Sequence, residues 1–536
     1  MQKIHRHILF SFLTGSFFSL LFYFGTKFLS ATFEDRAVDY SILDFLFIIP
    51  IIIVATLIFY FLFDIKIKWK EDKKFNLKHW QIFVPLMLVS TITFLAFLPG
   101  HYPYDSSEMY KSFQASEITN HYSPLVTVIL GLFLSAGKFF GSEAFGHAAF
   151  VILQFVFLNL VLAKTIFYCS EKLNKKSFGI IFTIFFALNP LIQTLLIRSG
   201  QDTIFGGIFL LLALEFLKIS EDEKYFSGKK KYLYLFVLIF FLCATRNNGL
   251  YAIIPVFIFS FFIFKNCQEF RKKFFIAISL PIVFFLGYNY LFINNVIKTK
   301  DSFFRETLNI PIMQIARAMY FNSDENFKEE LRTYFKEDCD TWMGTKWDWS
   351  KYNYSAGISD PAKNCMKTDE IDKNPMKFFD LWKRIGEKYT LNYIEAPLVF
   401  TLGLYHVRAP YNNQDRTFMW HKYIDSYYDS YGHYGIANIS LIPPVQKLYD
   451  FFIDGQIWSD IPILHILWGA PFTVHLTIIT ILFSLYRKKY KYLLPLLLIV
   501  GLIITVALSP VMLFRYIFPA VICLPIIIYI LKSVLK

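Results

Sequence analysis

Two carboxylates lie one helical turn apart in the segment HYPYDSSEMY, which follows a long apolar run. They are Asp105 and Glu108, and this spacing places both on one face of a short helix. Carboxylates next to a membrane-like segment are costly unless they have a partner or a task. One interpretation is that they solvate a loop and cap the helix after it. The other is a general base at an active site on a membrane surface.

Three arginines are predicted at the ends of apolar runs, on the same side as this acidic loop. Arginine is always charged, and its planar fork binds phosphate in a bidentate manner. A single arginine is explained as well by snorkelling to lipid headgroups or by a nearby carboxylate such as Asp202. Three arginines on the outer side, where positive charge is usually scarce, favour a site for a lipid-linked phosphate. They are Arg198 in IRSGQD, Arg246 in ATRNNGL and Arg515 in MLFRYIFP.

Three further residues accompany these charges. His101 and His121 flank the acidic loop, where each could orient Asp105 or contact substrate, although a surface histidine is more often incidental. Asp202 stands at a predicted helix start, where N-capping is its simplest role and substrate binding is the alternative. The sequence has neither a metal-ligand spacing among Cys and His nor a phosphate-binding glycine loop. It therefore predicts no metal site and no nucleotide-driven enzyme.

Long apolar runs must position these residues. The chain has 536 residues, of which 55% are hydrophobic and 20% aromatic, more than a soluble protein of this size needs. Apolar runs of about 17 to 25 residues recur, which predicts an α-helical polytopic membrane protein with about twelve spans. The net charge of +13 comes largely from lysines in short loops, as the positive-inside rule expects. Nucleic-acid binding is therefore not predicted.

Placing every Lys-rich loop on the cytoplasmic side sets the topology. Both termini are then cytoplasmic and the acidic loop is outside. This pattern holds only if residues 106–140 form helices that lie on the outer membrane surface instead of crossing it. The predicted spans are roughly 8–30, 43–64, 81–98, 145–168, 178–192, 203–219, 232–245, 249–264, 274–294, 462–486, 492–508 and 512–531.

A long polar stretch separates the last three spans from the others. It is too long for a loop without structure of its own, so residues 295–461 are predicted to form a mainly α-helical extracytoplasmic domain. The remaining regions are 1–294, with the outer loop and surface helices at 99–144, and 462–536. Cys339 and Cys365 both fall in the extracytoplasmic domain, on the side that permits oxidation, and form a candidate disulfide.

The order of these elements resembles the GT-C superfamily of polytopic glycosyltransferases, which use polyprenyl-phosphate sugars. The resemblance rests on Asp105 in the first large outer loop, on HYSPL before a surface helix, and on arginines in RNNGL and SPVMLFRYIFP. LNIPIMQIARAMY at 308–320 also resembles a large uncharacterised bacterial family of GT-C-like membrane proteins. The chain departs from the pattern at Ser123, where the first Pro of HPPL is usual. Two predicted spans also precede the helix that leads to the Asp105 loop.

The resemblance implies an inverting sugar transfer from polyprenyl phosphate to a cell-envelope glycan or lipid, on the outer face of the bacterial cytoplasmic membrane. Asp105 would take the proton of the acceptor hydroxyl, and Arg246, Arg515 and then Arg198 would stabilise the leaving phosphate. The role of Glu108 stays open between supporting Asp105, helping to hold a divalent cation, and neither. No other cofactor is expected, and membrane lipids are the remaining partners.

Two other classes of protein fit part of this pattern. A transporter or flippase for lipid-linked saccharides also needs many spans and outer arginines. It would place charged or broken helices near the membrane midplane, whereas the predicted span interiors here are almost free of charge. A non-catalytic scaffold for envelope assembly would keep the same fold and arginines. The outer carboxylate and the large outside domain favour the enzyme.

Overall fold

The computed structural model describes residues 2–67, 71–72, 75–119, 121–291, 293, 307–322, 324–336, 338–340, 346–348, 359–407, 435–453 and 461–536. These residues are almost entirely helical. The helices of the first half are α1 (Gln2–Phe33), α2 (Leu43–Asp64), α3 (Trp80–Ala96), α4 (Tyr104–Gln114), α5 (Pro124–Phe139), α6 (Glu143–Lys172), α7 (Lys176–Leu188), α8 (Pro190–Leu196), α9 (Gln201–Glu221), α10 (Lys229–Thr245), α11 (Asn248–Ile263) and α12 (Gln268–Tyr288).

The second half continues with shorter helices and one small antiparallel pair of strands, β1 (Asp338–Asp340) and β2 (Lys346–Asp348). Its helices are α13 (Asn309–Asn322), α14 (Glu325–Leu331), α15 (Asp360–Asn364), α16 (Thr368–Lys373), α17 (Pro375–Lys388), α18 (Thr390–Phe400), α19 (Leu402–Tyr405), α20 (Pro443–Ile453), α21 (Pro462–Trp468), α22 (Ala470–Tyr486), α23 (Leu493–Ala507), α24 (Phe514–Val521) and α25 (Leu524–Leu535).

Within the described ranges, six helices are long and apolar enough to cross a membrane, or up to eight if two bent pairs each count as one span. This indicates a helical membrane protein, although the predicted number of about twelve spans is not reached. The difference lies mainly in length, because α3, α10, α11 and α22, which correspond to predicted spans, have at most 17 residues. A full crossing needs about 20 residues.

The bent pairs explain why two predicted spans are not single helices. α7 and α8 meet at 71°, and α24 and α25 meet at 43°. At the first bend, the Asn189 side chain accepts hydrogen bonds from the amides of Leu191 and Ile192, and Pro190 takes the first helical position of α8. Both features favour a new helix start over continuation of α7.

Residues 106–140, predicted as surface helices, form α4 and α5. α5 has 16 residues, so it is about 24 Å long, less than the roughly 30 Å hydrocarbon core. α4 packs on α5, and α5 packs on α6, around a shared apolar core that includes Met109, Leu130 and Phe150. Their placement on the membrane surface stays a prediction.

The chain divides into two compact units. The first comprises Met1–Asp64, Ser302–Trp420 and Val506–Leu513, and the second comprises Ile65–Asp301, His421–Thr505 and Phe514–Lys536. These units do not coincide with the predicted regions 1–294, 295–461 and 462–536. A division by hydropathy follows chain order, whereas α1 packs on both α2 and the distant helix α18. The extracytoplasmic location of the middle region stays a prediction.

In the first unit, α13, α17 and α18 pack around their own apolar core, which includes Ile315, Phe378 and Ile385. Cys365 is a fully buried member of this core and is disulfide-bonded. The side chain of Cys339 lies outside what the structure describes, so the predicted pairing of these two cysteines stays a prediction.

In the second unit, α9 is the central helix. In the most apolar 18-residue segment of α9, 89% is buried by protein, whereas the corresponding share for α2 in the first unit is 11%. It packs against α6, α10 and α24. Side chains at the start of α9 therefore meet residues from several separate parts of the chain.

Candidate functional site

Two loops of the second unit, one leading to α4 and one leading to α9, lie side by side. The His101 amide donates to the Ile197 carbonyl at 2.9 Å, and the Ser199 amide donates to the His101 carbonyl at 3.0 Å. Gly100 permits this approach, because its φ is +99° and a Cβ would lie 2.8 Å from the Ile197 carbonyl oxygen. The pairing brings the start of α4 next to Arg198.

Ser123 fixes the start of α5 against two other helices. Its hydroxyl accepts from the Val126 amide as an N-cap and donates to the Ala244 carbonyl at 2.7 Å, at the end of α10. Its own amide donates to the Gln201 side chain at 3.0 Å, at the start of α9. Pro124 takes the first helical position, where a missing N–H costs nothing. Ser123 therefore caps α5 and links it to α9 and α10. A proline here has neither the hydroxyl nor the amide hydrogen that these hydrogen bonds need.

Two aspartates and three arginines converge at this point. Asp105 Oδ2 lies 2.5 Å from Arg515 Nη1 and 3.8 Å from Arg198 Nη2. Asp202 Oδ2 lies 3.6 Å from Arg198 Nη1 and 3.7 Å from Arg515 Nε, and Asp202 Oδ1 contacts Arg246 Nη1. We call these five residues the arginine cluster. It contains three guanidinium groups and two carboxylates.

Every member of the arginine cluster was predicted as a site residue, and the structure brings together positions as distant as 105 and 515. The capping role expected for Asp202 is wrong. The N-cap of α9 is Gly200, and the helix has no side-chain cap. Asp202 instead lies in the first turn and faces the arginines, where the positive end of the helix dipole also favours its charge.

Asp105 is the most accessible charge of the cluster. Its side chain is 24% exposed, whereas those of Asp202 and Arg198 are 8% and 3% exposed. Burial alone would raise the pKa of Asp105, but Arg515 and Arg198 outweigh this effect and lower it. The resting carboxylate is therefore ionised and available as a hydrogen-bond acceptor.

Two tyrosines of the site were not predicted. The guanidinium carbon of Arg246 lies 4.4 Å from the centre of the Tyr516 ring, and that of Arg515 lies 5.1 Å from it. These cation–π contacts hold both guanidinium groups. The Tyr122 hydroxyl lies 3.5 Å from Asp105 Oδ1, and burial together with that carboxylate raises the pKa of Tyr122. In a chain that is 20% aromatic, only the adjacency of Tyr516 to Arg515 and the place of Tyr122 in HYSPL could have indicated them.

The other predicted residues lie outside the cluster. The helix predicted to carry Asp105 and Glu108 together is confirmed, but Glu108 pairs with Lys111 at 2.8 Å. His121 is exposed, and the centre of its ring lies 4.6 Å from the centre of the Tyr122 ring. The catalytic role of Glu108 and the substrate contact of His121 stay predictions.

His101 is fully buried, beside the Asn438 side chain. Burial and the nearby charge of Arg198 lower the pKa of His101 to about 3, so the imidazole is neutral. Through its main chain it supports the loop in front of α4. Its predicted contact with substrate stays a prediction.

A divalent cation does not fit this arrangement. Both aspartates of the cluster face guanidinium groups, which compete with a cation for the same oxygens. In the part of the chain that the structure describes, no group of three His, Cys, Asp or Glu is placed to hold a metal ion. The chemistry that the cluster supports is the binding of a phosphate by arginines next to an accessible carboxylate.

Comparison with known proteins gives a family but no activity. No curated protein and no solved structure matches the chain at a significant level. One family model matches residues 24–534, and its description is a family of unknown function, DUF6020. Because that match covers nearly the whole sequence, the chain belongs to the DUF6020 family.

Proposed function

We propose that this protein is an inverting membrane glycosyltransferase of GT-C type. It transfers a sugar from a polyprenyl-phosphate donor to a cell-envelope glycan or lipid. The observation that supports the proposal is the convergence of Asp105 with Arg198, Arg246 and Arg515 in one cluster. A general base beside phosphate-binding groups is what such a transfer requires. The proposed architecture has about twelve spans, in which the bent pairs and the shorter helices α3, α10, α11 and α22 also cross. α5 lies on the membrane surface, and the arginine cluster is on the extracytoplasmic face.

The charges of the cluster suit both ends of this reaction. The donor is a phosphodiester with one negative charge, which the guanidinium groups of the cluster can bind. The acceptor oxygen forms a bond to the anomeric carbon and passes its proton to Asp105. The bond from that carbon to the phosphate oxygen breaks, and its electron pair leaves on the polyprenyl phosphate. The phosphate gains a negative charge as Asp105 loses one, so the site stays balanced.

Donor binding would also activate the base. In the resting site, Arg515 and Arg198 lower the pKa of Asp105 and make it a weak base. A bound phosphate competes for the same guanidinium groups. As they turn towards it, the pKa of Asp105 rises towards the range in which a carboxylate accepts a proton efficiently.

The experiment that tests the proposal follows the release of free polyprenyl phosphate. Purified, folded wild type and Asp105→Asn are given a panel of polyprenyl-phosphate sugars with an extract of envelope glycolipids and glycans. We expect release by the wild type, and a loss of about 10²–10⁴-fold in Asp105→Asn. Asp39→Asn is the matched control, because Asp39 is an exposed aspartate that pairs with Arg36. Equal release by wild type and Asp105→Asn would exclude Asp105 as the base.

A transporter or flippase of lipid-linked saccharides is the second candidate, and one observation favours it. α7 and α8 form a sharply bent pair, and α8 leads directly to Arg198. Transporters place their binding sites at helices broken in this way. Movement of a lipid-linked saccharide across vesicles that contain the protein, without release of polyprenyl phosphate, would favour this function. Binding with neither movement nor release would favour an envelope-assembly scaffold.

A further inference from the structure

We propose that three lysines near the end of α9 opposite the arginine cluster bind the headgroup of an anionic phospholipid. They are Lys164 of α6, Lys218 of α9 and Lys231 of α10, and we call them the lysine group. Glu215, which contacts two of them, lies about 20 Å along α9 from Asp202. The inference does not depend on the proposed function, because it concerns a separate site and a lipid that is not a substrate.

One buried carboxylate holds the lysine group together. Glu215 is 1% exposed, and its Oε1 lies 2.6 Å from Lys218 Nζ. Its Oε2 accepts from the Tyr225 hydroxyl at 2.6 Å and lies 3.9 Å from Lys231 Nζ. Lys164 interacts electrostatically with this carboxylate and with both other lysines, but it forms no ion pair with a described carboxylate. Because like charges repel one another, an anion bound beside Lys164 would stabilise the group.

Each ammonium of the lysine group also lies near a tyrosine ring. The pairs, with the distance from Nζ to the ring centre, are Lys164 and Tyr234 (5.8 Å), Lys218 and Tyr168 (5.4 Å), and Lys231 and Tyr225 (4.7 Å). Such cation–π contacts restrict the lysine side chains, so that less freedom is lost when an anion binds. Tyrosine is also enriched at the depth of lipid headgroups. Lys164 and Lys231 are exposed, so a headgroup can reach them.

The surface of α6 indicates that the anion belongs to a lipid. Lys164 lies on the same face as Leu160, one turn earlier, and Leu153, about three turns earlier. These leucines are 43% and 55% exposed, on a helix long and apolar enough to cross a membrane. Acyl chains can therefore lie along this face, with the phosphate at Lys164 where the apolar surface ends. A soluble anion would use the ammonium groups but not the leucines. In the proposed topology, the lipid belongs to the cytoplasmic leaflet.

The lipids that the full-length protein retains test this inference. The protein is placed in phosphatidylcholine nanodiscs with a small share of phosphatidylglycerol, and the bound lipids are counted by native mass spectrometry. We expect the wild type to retain phosphatidylglycerol in preference. Lys164→Met and Lys231→Met should each lower this preference about fivefold, and the double variant about 30-fold. Lys164→Arg keeps the charge and should keep the preference. Lys218 is left unchanged, because it pairs with the buried Glu215.

A matched control separates a specific site from general positive charge. Lys265→Met removes an exposed lysine from the loop between α11 and α12, outside the lysine group, and should leave the preference unchanged. An equal loss in this variant would overturn the inference. So would a wild type without a preference, whether or not any variant folds, or a folded double variant with the wild-type preference.

A soluble competitor distinguishes a lipid from a free anion. Glycerophosphoglycerol has the same headgroup without acyl chains, and at equal concentration it should not displace phosphatidylglycerol. Displacement would overturn the assignment to a lipid. These outcomes are independent of the release of polyprenyl phosphate, so failure of this inference and failure of the proposed function are distinguishable.

Discussion

Among the described residues, two groups of buried charge, one in each unit, differ in how they are paired. In the first unit, Arg317 donates to Glu395 Oε2 from Nε at 3.0 Å and from Nη2 at 2.5 Å, and the Tyr40 hydroxyl donates to Oε1 at 2.6 Å. The two charged side chains are 2% and 4% exposed, and their charges cancel. In the second unit, the arginine cluster has several contacts of 3.6–3.8 Å. Its carboxylate Asp105 is partly open.

The difference shows what distinguishes a structural ion pair from a binding site. The Arg317–Glu395 pair is closed, balanced and fully hydrogen-bonded along one edge, so it holds α13 against α18 and offers nothing to a ligand. The arginine cluster has longer contacts and a partly exposed carboxylate, and a phosphate and an acceptor hydroxyl could use them. Burial of charge alone would not separate the two regions. The contact distances and the access to the carboxylate do separate them.

The largest expected effect on stability is at the closed pair. Glu395→Ala leaves the Arg317 guanidinium buried without its carboxylate and removes the acceptor of Tyr40. We expect the free energy of unfolding to fall by about 3–5 kcal/mol. Denaturant titration of the protein in detergent micelles measures this change.

A double variant controls for loss of volume at that pair. Arg317→Met with Glu395→Leu replaces both charges by apolar groups of similar size, and it should recover most of the stability that Glu395→Ala loses. An unfolding free energy for Glu395→Ala equal to that of the wild type would contradict the distinction between the two regions.

The second prediction concerns the open cluster, where the effect should fall on activity. Arg515→Ala removes the closest partner of Asp105 and one of the proposed phosphate ligands. We expect the release of polyprenyl phosphate to fall by about 10²–10³-fold. Stability should change less than in Glu395→Ala, because Arg198 and Arg246 still neutralise the two carboxylates.

Two further variants sharpen this result. Arg515→Lys keeps the charge but loses the planar fork and should recover only part of the activity. Arg36→Ala removes an exposed arginine that pairs with Glu34 and Asp39, and it should leave activity unchanged. Retention of full activity in Arg515→Ala would remove this arginine from the proposed phosphate site.

The sequence predicted the membrane-capable helices and the members of the arginine cluster better than it predicted their arrangement. The hydropathy pattern predicts the full extent of α2, 43–64, because an uninterrupted apolar run identifies a span without knowledge of tertiary contacts. The bend between α7 and α8 was missed, although Asn189-Pro190 is a helix-start signal within the run predicted as one span.

At the site, residue type and predicted side of the membrane were enough to select Asp105 and the three arginines. They did not reveal that Asp202 is the common partner of those arginines, because its contacts come from separate helices. Nor did they show that Glu108, one turn from Asp105, pairs with Lys111 instead. Spacing along a helix gives a shared face, but only packing decides which residues meet there.

The smallest effect tests the neutral group beside the cluster. His101 is buried next to Arg198, with His147 nearby, and its pKa is lowered from 6.5 to about 3. Between these values the unfolded chain binds a proton that the folded chain excludes, so stability should fall as the pH decreases below 6.5. At about pH 5 the free energy of unfolding should be lower by about 2 kcal/mol because of this residue.

The variant His101→Gln tests this prediction. It cannot take up that proton, so its free energy of unfolding should depend less steeply on pH than that of the wild type. The other histidines are the same in both proteins, so the difference in slope reports on His101. Equal slopes would mean that His101 takes up a proton in the folded protein, and that the cluster tolerates another positive charge beside Arg198.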